Sequence, residues 1–218
     1  GVLPMGTFNL LARDLRIPLE LEEAVASLVG GRIGRIDAAR INDRVFLTHA
    51  NVGQLTDFTQ KREELRETSI GRKMLDLPRY FYHGMVDEPR YAFTILTDRE
   101  QKKVVTRTLA VVVDGYEHFD PYPRRERLDG GLLAVYVSRH ETGAALLADA
   151  IRILVTQEDT SRNLQRIDTE RAVVTGSADR VSVALDGEIF ELPLPLHFEV
   201  LPGALRVILP AAERSARA

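Results

Sequence analysis

The 218-residue sequence contains no cysteine. Disulfide bridges, thiolate zinc sites and cysteine nucleophiles are thereby excluded. The absence fits a reducing cytosol. Lysine is scarce, present only as Lys61, Lys73, Lys102 and Lys103, while arginine is abundant. That imbalance reads as a genome-composition bias rather than a functional signal. No apolar run approaches the ~18 residues that span a bilayer, and no signal peptide is visible. There is no internal repeat and no low-complexity tract. The net charge of -3 lacks the basic excess of a dedicated nucleic-acid binder. The five histidines, His49, His83, His118, His140 and His197, share no metal-ligand spacing.

What is present is an ordinary globular balance, 44% hydrophobic and 28% charged, over a length that allows one large domain or two small ones. The chain opens with "GVLPMGTFNLLARDL". Val2 to Met5 reads as the end of a buried strand. Gly6-Thr7 then precedes Phe8, Leu11, Ala12 and Leu15 at helical spacing, with Thr7 suited to cap the helix and Pro18 to end it. A strand, a Gly-Thr turn and a helix start bring free backbone N–H groups to one point, where anions bind. An ordinary strand-to-helix turn carries the same signature. Glu20 to Val29 reads as a second helix, closed by Gly30-Gly31.

The pattern then turns to strands. "RIGRIDAARI" and "RVFLTHANV" suit a hairpin across Asn42-Asp43. Gln54 to about Tyr82 reads as a charged helical insertion. "RYAFTILTD" and "KKVVTRTLAVVVDGY" suit a hairpin around Arg99-Glu100-Gln101, and "GGLLAVYVSR" is a further strand. Thr142 to Thr156 is amphipathic at helical spacing. "DGYEHFDPYPRR" is either a ligand-facing loop or a packed, proline-bent connection. From Arg166 to Pro210 strands recur at about ten-residue intervals: "RAVVTG", "RVSVALDG", "EIFELPL", "LHFEVLPG" and "ALRVILP". Such spacing predicts an antiparallel sandwich or barrel.

Two further stretches can carry chemistry. In "VALDGEIFEL", Asp186-Gly187 is a strong hairpin signal, and Glu188 follows it immediately. A carboxylate in a partly desolvated cleft can accept a substrate proton, although the turn alone explains the motif. In "RRERLDGGLLAVYV", Asp129 and exposed carbonyls beside Arg127 and Leu132 could hold Mg2+, which prefers oxygen ligands. A solvated basic loop leading into a strand has the same composition.

Taken in order, "LPMGTFNLLARDLRIP", "GRIGRIDAARINDRVFLTHANVG", "RLDGGLLAVYV", "ALDGEIFEL" and "LPGALRVILP" resemble the diacylglycerol kinase catalytic family, bacterial lipid kinases related to sphingosine kinases and more distantly to NAD kinases. The resemblance runs from about Leu3 to Pro210 and is most specific at its two ends. It implies a mainly β chain with some helix (α+β): residues 1–30 as the edge of a nucleotide-binding α/β domain, 31–210 as a β-sandwich lipid-substrate domain with a helical insertion, and 211–218 as a frayed tail. It implies that Gly6, Thr7 and Asn9 help bind ATP, that Glu188 is the base, that Asp186 and Gly187 form the turn supporting it, and that Arg127, Asp129 and Leu132 mark a Mg2+ site.

The implied reaction is transfer of the ATP γ-phosphoryl group to a lipid hydroxyl, diacylglycerol being one of several candidate acceptors. The implied partners are a lipid, an N-terminal domain carrying the phosphate loop, a transient membrane surface at the inner face of a cytoplasmic protein, and a second copy in a homodimer. Three departures stand out, one being Val113-Asp114-Gly115 where some relatives have an Asn-rich turn. The family's Gly-Gly-Asp-Gly-Thr loop does not occur in the sequence, so these residues alone are expected to be inactive. Asp129-Gly130-Gly131 also stands where many members have Asp-Asp-Gly. The competing reading is a kinase-like fold used for binding or dimerisation without catalysis.

Overall fold

A computed structural model describes residues 1–6, 8–53, 90–106, 108–117, 123–139 and 164–210. Thr7, the insertion expected over Gln54 to Tyr82, the helix expected over Thr142 to Thr156, and the tail 211–218 lie outside the described residues.

Two short helices open the chain: α1 (Leu10–Asp14) and α2 (Leu21–Leu28). Among the described residues twelve strands follow: β1 (Arg32–Ile41), β2 (Arg44–Phe46), β3 (His49–Gly53), β4 (Tyr91–Thr97), β5 (Gln101–Thr106), β6 (Thr108–Val113), β7 (Leu133–Ser138), β8 (Leu164–Thr169), β9 (Arg171–Gly176), β10 (Arg180–Leu185), β11 (Glu188–Pro193) and β12 (Leu196–Leu209). They form two six-stranded sheets, ordered β2-β1-β12-β9-β4-β5 and β11-β10-β3-β6-β7-β8. Every described strand pair is antiparallel. The chain is therefore mainly β, as the strand spacing predicts.

The sheets pack face to face through alternate side chains, because successive residues of a strand point to opposite faces. Ile41, Phe46, Ile95, Val174 and Phe198 from the first sheet meet Val52, Leu109, Val111, Leu133 and Val183 from the second. Phe46 and Phe198 meet edge to face at 6.4 Å. A second, smaller core sits on the outer face of β1 and β12. There Ala12, Leu15, Ile17 and Ala24 of the helical segment pack on Ile36 and Val207.

Several readings from the sequence change. Val2 to Met5 is not a strand: it pairs with no strand among the described residues, and Leu3 and Met5 are exposed. The cap of α1 is Asn9 rather than a residue further upstream. "KKVVTRTLAVVV" is two strands in different sheets, because the chain crosses between β5 and β6. At that crossing the buried Thr106 hydroxyl donates to the Thr108 carbonyl at 2.8 Å. Conversely, "LHFEVLPG" and "ALRVILP" are one strand. β12 runs unbroken along β1, and Pro202-Gly203 forms a bulge in it rather than a turn. The bulge sets Ile36 opposite Leu205 and Ala38 opposite Leu201, leaving Asp37 facing the extra residues. The Asn42-Asp43 and Asp186-Gly187 hairpins form as read, with Asn42, Asp186 and Gly187 at positive φ.

Candidate active site

The Asp186-Gly187 turn joins β10 to β11 and is fixed from outside the hairpin. Asp186 lies at the β3 edge of β10, beside the short link from β2 to β3. Its carboxylate accepts the backbone N–H of Leu47 at 2.7 Å, of Thr48 at 2.8 Å and of His49 at 3.1 Å. The Thr48 hydroxyl donates to the same group at 2.5 Å. Four donors converging on one side chain make the turn far stiffer than its two central residues alone would. Gly187, at φ 101, takes a backbone conformation that a side chain would strain.

Glu188 starts β11 at the rim of a cleft of about 480 Å3. Asp43, Arg44, Val45, Leu185, Asp186 and Phe190 form the rest of the lining. The Arg44 guanidinium lies 4.2 Å from the centre of the Phe190 ring. Glu188 is exposed and shares this lining with Arg44 and the apolar Val45, Leu185 and Phe190.

Gly6 and Asn9 lie elsewhere, on the helical segment. Asn9 adopts the left-handed conformation, and its side-chain oxygen accepts the Gly6 N–H at 2.7 Å. The side chain thus closes the turn backwards and makes no cap bond to α1. Behind this turn, Asp14 at the end of α1 pairs with Arg125 at 2.8 Å, with both side chains almost wholly buried. The Arg125 N–H adds a bond to Asp14 at 3.0 Å. Burial pushes the Asp14 carboxyl above the ordinary carboxylate range, and the Arg125 guanidinium pulls it back.

The loop from Arg127 to Leu132 is held by two acids to which sequence reasoning gave no role, the buried Asp37 and the half-buried Asp114. Asp37 accepts the Gly131 and Gly203 N–H groups, each at 2.6 Å. Asp114 accepts the Gly130 N–H at 2.9 Å, and its own N–H donates to the Leu132 carbonyl at 2.8 Å. Arg127 and Asp129 themselves point outward, 3.7 Å apart and mostly exposed. The loop's backbone is therefore the organised part, not the Asp129 side chain. No group of three or more acidic or histidine side chains suited to a metal occurs among the described residues. One observation fits a hard cation here: the Asp114 Oδ2 atom is buried without a hydrogen-bond partner. The signal in the sequence was Asp37 itself, an acid in the middle of an otherwise apolar stretch of strand.

Burial and the charge of the neighbouring Asp37 carboxylate push the Asp114 carboxyl up to about 7. A folded-state value above the unfolded one means that folding takes up a proton. The associated stability is fully present below about pH 4 and is lost as pH rises towards about 7. Asp114→Asn keeps the acceptor for Gly130 without the charge. In EDTA it is expected to flatten the pH dependence of the urea midpoint between pH 4 and pH 7 and to have a higher midpoint than the parent at pH 8. A variant with the parent's slope would remove Asp114 as its source.

The sequence model of the diacylglycerol kinase catalytic domain matches residues 1–41. The chain is 30% identical over 226 residues to "Probable lipid kinase YegS" of Salmonella gallinarum, covering 96% of the chain and 68% of that protein. It is 31% identical over 71 residues to a diacylglycerol kinase of Staphylococcus saprophyticus, covering 33% of the chain and 23% of that protein. A crystal structure of a diacylglycerol kinase from Bacillus anthracis shares the fold, with a TM-score of 0.64 at 16% identity over 95% of this chain and 65% of that one. The chain thus spans about two thirds of the length of these longer matches. The match to a relative over nearly all of its residues, together with the shared two-sheet fold, places this chain in the diacylglycerol kinase catalytic family of lipid kinases.

Proposed function

We propose that these residues form the substrate-side part of an ATP-dependent kinase acting on a diacylglycerol-like lipid. The lipid hydroxyl oxygen attacks the γ-phosphorus, the bond from that phosphorus to the bridging oxygen breaks, and ADP leaves. Glu188 accepts the hydroxyl proton. Mg2+, when bound with the nucleotide, would supply counter-charge for this transfer. A cation at the Arg127–Leu132 loop would be held by main-chain oxygens of Arg127, Asp129 and Leu132 beside Asp114, and would fix the loop. Gly6, Thr7 and Asn9 contribute to the nucleotide side, and a phosphate-binding segment outside these residues supplies the rest.

The observation that carries this reading is Glu188 on a turn braced by four donors, beside the apolar Val45, Leu185 and Phe190. Apolar side chains beside a carboxylate suit an acyl chain ending in a hydroxyl. Met5, Val29 and Ile33, exposed on the N-terminal segment and the start of β1, support contact with another part of the intact protein. No helix among the described residues is long and apolar enough to cross a membrane, and the lipid is proposed to be met by transient contact with a bilayer surface.

The test compares the intact protein with these 218 residues alone, each given ATP, Mg2+ and diacylglycerol in mixed micelles. Phosphorylated lipid is expected from the intact protein only. Robust turnover by the 218 residues would overturn the need for a further phosphate-binding segment. No turnover by the intact protein would favour a non-catalytic binding module.

A further inference from the structure

Arg125 joins three separate elements with one side chain. Its Nε donates to Asp14 Oδ2 at the end of α1, and its Nη1 donates to the carbonyls of Leu47 at 3.0 Å and Val113 at 3.2 Å. The other side of Leu47 completes a chain, because its N–H donates to Asp186 at 2.7 Å. The link from β2 to β3 is therefore gripped from both sides, by Arg125 on its carbonyl and by Asp186 on its amide. Thr48, buried at 7% exposure, adds its hydroxyl and its N–H to the same carboxylate. Glu188 follows Asp186 by two residues.

From this geometry we propose that Arg125 is a positioning residue, holding the Glu188 turn in fixed relation to α1 and the Gly6 turn through Leu47 and Asp186. The proposal rests on the reading of Glu188 as the base. Stability alone is a poor reason for the arrangement, since a buried ion pair is often no better than packed apolar side chains. Neutralising Asp14 also needs only one edge of the guanidinium. The bonds from Nη1 to two distant carbonyls add nothing to that neutralisation, but they tie the β2–β3 link to the end of β6. A planar fork can serve all these acceptors at once, whereas an ammonium on a flexible stem cannot.

The test is Arg125→Lys in the intact protein, which keeps a cation beside Asp14. With ATP, Mg2+ and diacylglycerol in mixed micelles, kcat is expected to fall about 10-fold with both KM values within about twofold. Thr48→Val is expected to do the same, and Thr48→Ser to recover the rate. In a Glu188→Gln background, Arg125→Lys is expected to cause no further loss, because it acts through Glu188. Without any substrate, hydrogen exchange at the Leu47 amide is expected to quicken in Arg125→Lys. An equal fractional loss in both backgrounds, or unchanged Leu47 exchange, would overturn the proposal. Wild-type turnover by Glu188→Gln alone would instead remove the base and with it the purpose of the bracket. That failure is separable, because the Leu47 exchange is read independently of catalysis.

Discussion

Glu188→Gln in the intact protein is expected to lower kcat by about 100- to 10,000-fold, the range that a positioned general base contributes. The amide keeps the size and the hydrogen-bonding edge of the carboxylate but cannot take the hydroxyl proton. In free energy the loss is roughly 3–5 kcal/mol of transition-state stabilisation. KM for ATP and lipid is expected to change little, because the amide keeps the size of the side chain that lines the cleft. Folding is also expected to survive: Glu188 is exposed, and the turn is held by Asp186 rather than by its neighbour. A steady-state assay beside a thermal melt checks both parts. A variant with parental kcat would show that the proton leaves by another route, and phosphoryl transfer, which relies chiefly on alignment and counter-charge, would then need no base at this position.

Arg125→Met is expected to cost about 3–5 kcal/mol of folding stability, the penalty for leaving a buried charge without its partner. Asp14 would remain almost fully enclosed, and the Leu47 and Val113 carbonyls would lose their donor. For a domain stabilised by about 5–15 kcal/mol, that is a large share. The double variant Asp14→Leu with Arg125→Met removes both charges and is expected to recover most of the loss. Urea denaturation of the four proteins of the cycle measures the coupling directly. Additive losses would mean that the two residues stabilise the fold independently. The size of the expected effect is also why the milder Arg125→Lys suits kinetic work.

The parts of the fold legible in the sequence are those encoded by near neighbours. The Asn42-Asp43 and Asp186-Gly187 hairpins, the helix at Leu21–Leu28 and the regularly spaced late strands all follow from local periodicity and turn chemistry. The β5–β6 crossing was not legible, because an unbroken apolar run does not say where a strand leaves its sheet. The continuity of β12 was hidden for the opposite reason: Pro202-Gly203 reads as a stop, yet the pairing with β1 absorbs it as a bulge. In the candidate site, Glu188 and its turn came from a local motif. The groups that brace it did not. Arg125 and Asp14 lie 111 residues apart, and Leu47 and Asp186 lie 139 apart. Nothing short of the folded chain brings those pairs together. Asp37 and Asp114 were given no role for the same reason, since an acid in or beside a strand reveals its partners only when the sheet forms.

The continuous β12 also governs how the molecule comes apart. Its first half contributes Leu196, Phe198 and Val200 to the core between the sheets, and its second half contributes Val207 to the cluster under the helices. β1 does the same, with Ile41 in one and Ile36 in the other. Heat therefore cannot loosen these two strands in the sandwich without also dismantling the helical segment's cluster. The change of architecture near residue 30 is a boundary along the chain. It is not a seam in cooperativity, and the two regions are built to lose their structure in a single event.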